Sequence, residues 1–411
     1  MKQLVSFVIA FCCLGSSALA QVSASATAPG VASAARGFQY AFRYSEGVQT
    51  SNTIATIQTS NVSGSVAYAN ADKKMPFTME YAGGYTWNLA GPDYQSGQFH
   101  RMDLTQGFVY RRWKINLGDD VEYLPQSPTT GFSGIPGIGE IIGVPNPNPS
   151  TSQTILTVNT HVLNNNAQGS LEHTLNYATT LSVAGNSSVL HYPDGNGIDT
   201  RSTTADGTLL RRLTGRTSIL GDYKFNQYTY SGTTLSIQTQ TGLAGLRHLF
   251  TRDLSLDLQG GPQWISSTNS SVVPANLTYA ANASMTYAKK RTSLGGSYVH
   301  GSNGGSGYLL GGIVDDAGGN FQHRFGEFVI LGLTGGYNRT AALNNSAPMT
   351  ITGGYGAVQG TWLLGRLIVF ANYTGRGQST SSTLPGNVLD QTLNTFSFGF
   401  GLSSREARLR P

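Results

Sequence analysis

Apolar and polar residues alternate along most of this chain. Between residues 38 and 45 every second residue is aromatic, and Phe396, Phe398 and Phe400 alternate with small or polar residues near the other end. Successive side chains of a β-strand point to opposite faces, so each such segment has one apolar and one polar face. The alternation therefore predicts amphipathic strands.

Eighteen segments carry this pattern, and most reach the ~9–11 residues that a tilted strand needs to cross a membrane. The stretch 153–213 is the least regular, so sixteen strands is the alternative count. Many connections are too short for a crossover, which predicts antiparallel pairing between neighbours. The segments begin near residues 38, 60, 76, 99, 113, 168, 180, 206, 217, 234, 254, 275, 291, 308, 327, 349, 366 and 391.

The connections between these segments alternate in kind. Seven of them are tight and basic, such as the one with Lys73 and Lys74, and together they hold 15 of the 26 Lys and Arg residues. In an up-and-down sheet this alternation places all turns on one rim, all long loops on the other, and both chain ends on the turn rim. A soluble β-sandwich, the structural rival, has no reason to sort its connections in this way. The long polar loops are 49–59, 89–98, 125–167, 192–205, 267–275, 302–308, 341–348 and 377–390.

The first twenty residues have the features of an export signal. Lys2 precedes an apolar run over 4–14, and residues 18–20 (Ala-Leu-Ala) fit a small-x-small cleavage site, so the mature chain is expected to begin at Gln21. The apolar run is too short to span a membrane as a helix. Both cysteines of the chain lie within the signal, which excludes disulfides, thiol catalysis and cysteine-bound metals in the mature protein.

Composition narrows the class of protein further. Charged residues make up 11% of the chain, against about 25% in ordinary soluble domains. Disorder is disfavoured because 10% of the residues are aromatic. Beyond the signal there is no apolar run of the length that a membrane helix needs. The net charge of +5 forms no patch along the sequence, so a nucleic-acid partner is not expected.

These features together resemble a bacterial outer-membrane β-barrel, and more narrowly a porin. The resemblance covers 37–404 and rests on the export signal, the strand alternation, the sorted connections and a long third outer loop. The last strand, 395–402, is similar to the C-terminal assembly signal of the family, although family members usually end on the aromatic residue and here the tail 405–411 follows. No named porin with a known solute matches.

The resemblance implies an all-β fold: a transmembrane antiparallel up-and-down β-barrel of about 16–18 strands, with short periplasmic turns and long extracellular loops. Residues 1–20 would be a signal peptide, 21–36 a periplasmic segment, 37–404 the barrel and 405–411 a C-terminal tail. The expected location is the outer membrane of a Gram-negative bacterium, with both termini periplasmic. The expected partners are outer-membrane lipid, the barrel-assembly machinery and small solutes, and a homo-oligomer is left open.

The third outer loop, 125–167, has an apolar, glycine-rich centre that is unusual for a connection exposed to water. Porins commonly carry a constriction in this loop, so we expect it to fold into the barrel. The alternatives are a surface loop or an extra hairpin that uses 154–162. The candidate constriction residues are Phe132, Ile135, Ile138, Glu140 and Ile141.

Charged residues on the polar faces of the strands are the candidates for a pore lining, because a Lys or Arg facing lipid at mid-membrane costs about 2–4 kcal/mol. Their acidic excess predicts a weak preference for cations. The alternative is that they pair with each other and only fill space. The candidates are Arg43, Glu80, Asp103, Asp120, Glu122, Glu172, Asp222, Lys224 and Asp257.

Several aromatic residues allow two interpretations, sugar stacking inside the barrel or a girdle at the membrane interface. Their phase places most of them on the apolar face, which favours the girdle. They are Tyr85, Trp87, Tyr110, Tyr298, Tyr337, Tyr355, Trp362 and Tyr373.

No motif predicts catalysis, a cofactor or a bound metal. The seven His residues lack metal-ligand spacing, and there is no G-x-S-x-G turn. A barrel enzyme would need a pair such as His100 with Asp103, for which an interfacial histidine is the simpler explanation. The sequence therefore predicts a passive channel for small hydrophilic solutes. A non-pore barrel, acting as an accessory or anchor (for example in polysaccharide export) or as an adhesin, is the alternative.

Overall fold

The computed structural model describes residues 37–52, 56–70, 72–88, 96–126, 160–195, 197–305, 309–344, 349–381 and 390–404. The predicted signal peptide, the segment 21–36 and the tail 405–411 lie outside the described residues. So do the constriction candidates Phe132, Ile135, Ile138, Glu140 and Ile141.

Eighteen antiparallel strands form one closed sheet, in which each strand pairs with the next along the chain and the first pairs with the last. This confirms the predicted all-β, up-and-down barrel and decides between the counts of sixteen and eighteen. The strands are β1 (Gly37–Ser51), β2 (Ile57–Asn70), β3 (Phe77–Asn88), β4 (Gly97–Tyr110), β5 (Trp113–Gln126), β6 (Thr160–Asn176), β7 (Thr179–His191), β8 (Thr200–Arg212), β9 (Thr217–Tyr230), β10 (Ser236–Leu249), β11 (Leu254–Ser267), β12 (Asn276–Lys289), β13 (Thr292–Asn303), β14 (Gly312–Phe325), β15 (Val329–Ala342), β16 (Thr350–Leu364), β17 (Leu367–Thr380) and β18 (Gln391–Ser403).

The two rims of the barrel differ as the sequence predicted. The eight connections on the rim that carries both ends of the barrel are short, and four of them, after β4, β6, β12 and β16, have only two residues. Two-residue hairpins need a positive φ, and Arg111 (φ 54°) and Lys290 (φ 37°) adopt it although neither is glycine. The basic turns are therefore as tight as the backbone allows. We call this the turn rim, and the opposite one the outer rim.

The outward face of the wall is apolar and the inward face is polar. Phe38, Phe396 and Trp264 on the outer face are 62%, 51% and 58% exposed, whereas Asn166 and Thr239 on the inner face are 1% and 0% exposed. The alternation of each strand thus separates a surface suited to lipid from a polar interior. Among the residues that the structure describes, no helix is long and apolar enough to span a membrane.

Two strands begin earlier than the alternation predicts. Strand β6 starts at Thr160 and not near residue 168, so that 160–167, expected in the third outer loop, form the outer end of a strand and the connection is 127–159. Strand β8 likewise starts at Thr200 and not near residue 206. The outer ends of both strands place polar residues such as Asn165, Arg201 and Thr203 on the outward face, which removes the apolar signal of alternation.

The described ends of the connection between β13 and β14 fold over the mouth of the barrel. An added Cβ at Gly304 would lie 3.0 Å from Tyr228 Cδ1, and one at Gly311 would lie 2.7 Å from Ile237 Cδ1. Tyr228 and Ile237 are inner-face residues of β9 and β10, four to five strands away around the barrel. Leu309 packs with Ile351 of β16 and is 4% exposed. We call residues 304–311 the mouth loop, since its described ends reach across the interior.

Candidate functional site

The inner wall of the barrel carries the charged side chains, and the largest cluster lies on β3, β4 and β5. Glu80, Asp103 and Asp120 occupy directly opposed positions on these three strands, which brings three carboxylates into one row. Arg101 stands opposite Glu122 in the next inward row. Its Nε lies 3.4 Å from Asp120 Oδ2, and its Nη1 lies 3.3 Å from Glu122 Oε1. Four carboxylates therefore share one guanidinium, which leaves this part of the wall negative.

A second charged cluster lies on β8 and β9. Lys224 is 4% exposed and stands directly opposite Asp206. The hydroxyl of Thr208 donates a hydrogen bond of 3.0 Å to Asp222 Oδ1. Two carboxylates again surround one cation, so this cluster also has an excess of negative charge.

Other inward charges form pairs. Arg247 donates from Nε and Nη2 to Asp257 Oδ2 at 2.9 and 2.8 Å. Lys114 Nζ lies 3.1 Å from Glu172 Oε1, close to the turn rim. Arg43 on β1 contacts an aromatic ring: its guanidinium carbon lies 5.5 Å from the ring centroid of Phe370 on β17, on the other side of β18. Paired groups add little net field, so the two acidic clusters dominate the electrostatics of the interior.

The structure places all nine predicted polar-face residues, Arg43, Glu80, Asp103, Asp120, Glu122, Glu172, Asp222, Lys224 and Asp257, on the inner wall. Leaving out the two residues at each strand end, the inner wall of the described strands holds five cations and nine carboxylates, an excess of four negative charges. The cations are Arg43, Arg101, Lys224, Arg247 and Arg376, and the carboxylates are Glu80, Asp103, Asp120, Glu122, Glu172, Asp206, Asp222, Asp257 and Asp316.

Sequence reasoning missed several of these residues. Arg101 lies two residues before Asp103, so the alternation could have predicted that it also faces inward. Asp206 lies in a strand whose start was misplaced, and Arg247 and Lys114 lie beside the basic turns although both face inward from strands. Asp315 and Asp316 are adjacent, so the sequence could not show that only the second faces the interior, opposite Val299.

The predicted interfacial aromatics lie on the outer face with one exception. Tyr355 faces inward, directly opposite Arg376 and Gly336. Its neighbours in β16 are glycines, which have no side chain and therefore do not indicate which face of the strand is apolar. Tyr355 was therefore wrongly grouped with the girdle. The other seven point outward, as the girdle interpretation requires: Tyr85, Trp87, Tyr110, Tyr298, Tyr337, Trp362 and Tyr373.

His100 and Asp103 do not form a pair. His100 faces outward, where its Nδ1 lies 2.8 Å from the hydroxyl of Tyr81, whereas Asp103 faces the interior beside Glu80. An odd spacing along a strand puts the two side chains on opposite faces of the wall. This constellation therefore offers no catalytic dyad.

No protein-family model matches the sequence, and no curated protein matches it. Among solved structures, the chain is similar to OpdK from Pseudomonas aeruginosa, determined with vanillate, at 9% identity over 89% of this chain and 98% of that one, with a TM-score of 0.45. It is similar to OccK2 (OpdF) of the same organism at 12% identity over 90% and 98%, with a TM-score of 0.46. OccAB4 of Acinetobacter baumannii is similar at 10% identity over 90% and 98%, with a TM-score of 0.45. Likeness of this degree does not identify a solute or a family.

Proposed function

We propose that the protein is a porin-like channel of the bacterial outer membrane, through which small hydrophilic solutes diffuse passively with a weak preference for cations. The observation that carries the proposal is a closed wall of 18 strands with an apolar outer face and a charged inner face. Barrels of 16–18 strands are wide enough to leave an aqueous channel. Each strand pairs with two neighbours, apart from the outer ends of β12 and β13, where the ladder stops at Ala281 and His300. Such closure is the condition for a sheet to sit in lipid.

The preference for cations follows from the excess of inward carboxylates. A passage lined by one sign of charge concentrates the opposite ion, an effect that is strongest at low ionic strength. The clusters around Arg101 and Lys224 supply most of this excess.

The orientation belongs to the same proposal. Short turns face the periplasm in bacterial barrels and longer loops face outward, so the turn rim and both termini would be periplasmic. We further propose that the outer-facing aromatic residues contact lipid and that the last strand is read by the barrel-assembly machinery. The third outer loop stays a candidate constriction. Deleting 130–149 is expected to raise the conductance, and an unchanged conductance would remove that role.

Single-channel recording of the mature chain tests the function. Protein refolded in detergent and shown to be folded by a heat-modifiable band on a gel is inserted into a planar bilayer under a KCl gradient. Discrete steps with a reversal potential on the cation side are expected.

The mouth loop is the observation that favours a second candidate, a non-conducting barrel that serves as an anchor, accessory protein or adhesin. Its described ends close part of the mouth with apolar contacts around Tyr228, Ile237 and Leu309. Folded protein that inserts without any conductance steps would replace the channel with this alternative.

A further inference from the structure

A groove of about 440 Å³ opens on the outer face of the barrel wall, on β10 to β13. Small residues line much of it, namely Ala244, Gly260, Ala281 and Ala283, and the larger side chains at its border are Leu246, Leu258 and Tyr298. Elsewhere on the outer face, large apolar side chains such as Leu277 and Tyr279 project from the wall. The groove is thus a local depression in a surface that otherwise bulges into lipid.

The groove lies at one end of a row of register partners that crosses six strands and becomes polar at its other end. Ala244, Gly260 and Ala281 are register partners on β10, β11 and β12, and the same row continues through His300, Asp315 and Arg339 on the next three strands. All six face outward. The row therefore joins an apolar half to a charged half on the lipid-facing side of the wall.

The charged half is a connected cluster centred on Asp315. Its Oδ1 lies 2.6 Å from His300 Nδ1 and accepts a bond of 3.0 Å from the Tyr298 hydroxyl, and its Oδ2 lies 3.5 Å from Arg339 Nη1. The ring of Tyr279 stacks on His300 with centroids 4.1 Å apart. These contacts hold the carboxylate from three sides and orient the cation beside it.

Two groups of the cluster are left with unused hydrogen-bonding capacity. The His300 side chain is 9% exposed, and its Nε2, on the opposite side of the ring from Asp315, has no partner. The Arg339 side chain is 50% exposed and uses only Nη1 in a long contact. A planar guanidinium has further donors in a geometry that fits phosphate oxygens.

The row rises toward the outer rim. Counted from the outer end of its strand, Ala244 is the ninth residue of β10, whereas Arg339 is the fourth residue of β15. The apolar half therefore lies near the middle of the wall and the charged half lies close to the level of the outer loops. An amphiphile of the outer leaflet has the same order, with hydrocarbon inside and its head group outside.

The pairing between β12 and β13 is interrupted above the groove, toward the outer rim. Strand β13 pairs with β12 only as far as His300, opposite Ala281, and then bends inward, where the amide of Ser302 donates a bond of 3.0 Å to Gln263 Oε1 on the inner face of β11. The edge of β12 over 276–280 that faces β13 therefore has no ladder partner among the described residues, whereas the other edge pairs with β11. Unpaired backbone groups are disfavoured in hydrocarbon, so a polar head group beside this edge would satisfy them.

We propose that this row binds a lipid of the outer leaflet that carries a phosphate head group, with one acyl chain in the groove and the phosphate at Arg339. Burial of hydrocarbon against Ala244, Gly260 and Ala281 holds the chain. Charge-assisted hydrogen bonds from Arg339 hold the phosphate. The half-exposed cation near the outer rim suits a phosphate group, and the apolar lining of the groove suits an acyl chain.

Native mass spectrometry of the detergent-solubilised barrel tests this site. The protein is titrated with dioleoyl phosphatidic acid and, separately, with dioleoylglycerol, which has the same chains and no phosphate. Tighter binding of phosphatidic acid is expected. Inorganic phosphate at equal concentration should not displace it; displacement would assign the site to free phosphate and overturn the proposal.

Substitutions separate the two halves of the site. Arg339→Gln should weaken phosphatidic acid binding about tenfold, the equivalent of one charged hydrogen bond, and leave dioleoylglycerol unchanged. Ala281→Leu, or Ala283→Leu if the first variant lacks the heat-modifiable band, should weaken both lipids by filling the groove. Arg201→Gln is the matched control, because Arg201 also faces outward near the outer rim but on β8.

Three further results would overturn the proposal. Equal binding of both lipids to the parent protein would show that the phosphate is not recognised. Undiminished lipid binding by Ala281→Leu and Ala283→Leu would show that the groove does not hold the acyl chain. A dimer that is lost in these variants while lipid binding persists would assign the face to a second copy of the chain. None of these outcomes depends on whether the barrel conducts.

Discussion

Arg101 is the single cation that offsets the acidic cluster of the inner wall. Its guanidinium contacts Asp120 and Glu122, which are 3% and 8% exposed, and Glu80 and Asp103 lie in the adjoining row. Carboxylates that are crowded together and poorly hydrated repel one another unless a cation lies between them. The arrangement therefore couples the stability of the wall to its electric field.

Replacing Arg101 by Gln should lower stability and increase selectivity together. Loss of one partner of a buried ion pair costs up to about 3–5 kcal/mol, and the removed positive charge makes the wall more negative. The denaturation midpoint of the heat-modifiable band and the reversal potential under a KCl gradient measure the two effects. Lys114→Gln is the control, since Lys114 pairs with Glu172 but is 37% exposed. Equal stability of the two variants would contradict the role given to Arg101.

A pH-dependent contact ties a loop to the outer end of β6. The amide of His161 donates to Asp194 Oδ2 at 2.8 Å, and His161 Nδ1 lies 2.7 Å from the same oxygen. These bonds hold the pKa of the Asp194 carboxyl below its ordinary value of 3.8. A lowered folded-state pKa means that the contact stabilises the fold above pH 3.8 and that this contribution is lost as the pH falls through the folded-state pKa.

Acid should therefore loosen the 192–199 loop before it unfolds the barrel. Pepsin cleavage in this loop is expected to accelerate as the pH falls below the ordinary Asp value. Asp194→Asn should show faster exchange of the His161 amide already at neutral pH. Asp253→Asn, in a turn on the opposite rim, should leave that exchange rate unchanged. An exchange rate unaffected by Asp194→Asn would show that the contact contributes nothing to the loop.

At the scale of elements, the mouth loop is the part of the fold that the sequence did not indicate. Leu309 and Leu310 are the apolar residues at its described end, and both pack into clusters that include inner-face side chains of other strands. A polar loop with two adjacent leucines has no periodicity from which its direction could be read. Its inward fold is a tertiary property, because its partners lie on β9, β10 and β16.

Loosening the mouth loop should widen the passage. Leu309→Ser with Leu310→Ser removes the buried apolar contacts while leaving the strands intact, so a larger and noisier single-channel conductance is expected. Leu213→Ser, at a turn-rim residue that is 54% exposed, is the matched control. A conductance equal to that of the parent protein would mean that the mouth loop does not limit flow.

Strand positions were predictable from sequence wherever the outward face was apolar. Strands such as β11 and β18 begin where the alternation of Leu254–Leu258 or Phe396–Phe400 predicts. The starts of β6 and β8 were not predictable, because their outer ends place polar side chains on both faces. The candidate inner-wall charges followed from the same alternation, whereas their partners, such as Arg101 for Asp120, depend on the register between strands.

At the scale of the whole molecule, selectivity reports the sum of the inward charges. Asp222→Asn with Asp257→Asn removes two of the nine inner carboxylates and halves the excess of four negative charges. Asp257→Asn also releases Arg247 from its ion pair. The reversal potential under a KCl gradient should therefore shift toward anions.

An outward carboxylate supplies the control for this experiment. Asp119 adjoins Asp120 in sequence but faces outward, where Asn165 donates a bond of 3.1 Å to it. Asp119→Asn removes the same charge from the other side of the wall, so the reversal potential should not move. A shift as large as that of the double variant would mean that selectivity does not arise from the inner wall.

The hydrogen-bonded contact between β1 and β18 makes the barrel a ring whose strands could follow one another along the chain from a different starting point. Ala41 is paired with Ser403, and the amide of Ser404 bonds the carbonyl of Tyr40, so the two ends of the barrel are immediate neighbours on the turn rim. A ring of this kind has no structurally privileged first strand. Joining the two ends with a short linker and opening the chain at the turn 365–366 would give a circular permutant with the same ladder of strands, in which today's last hairpin comes first.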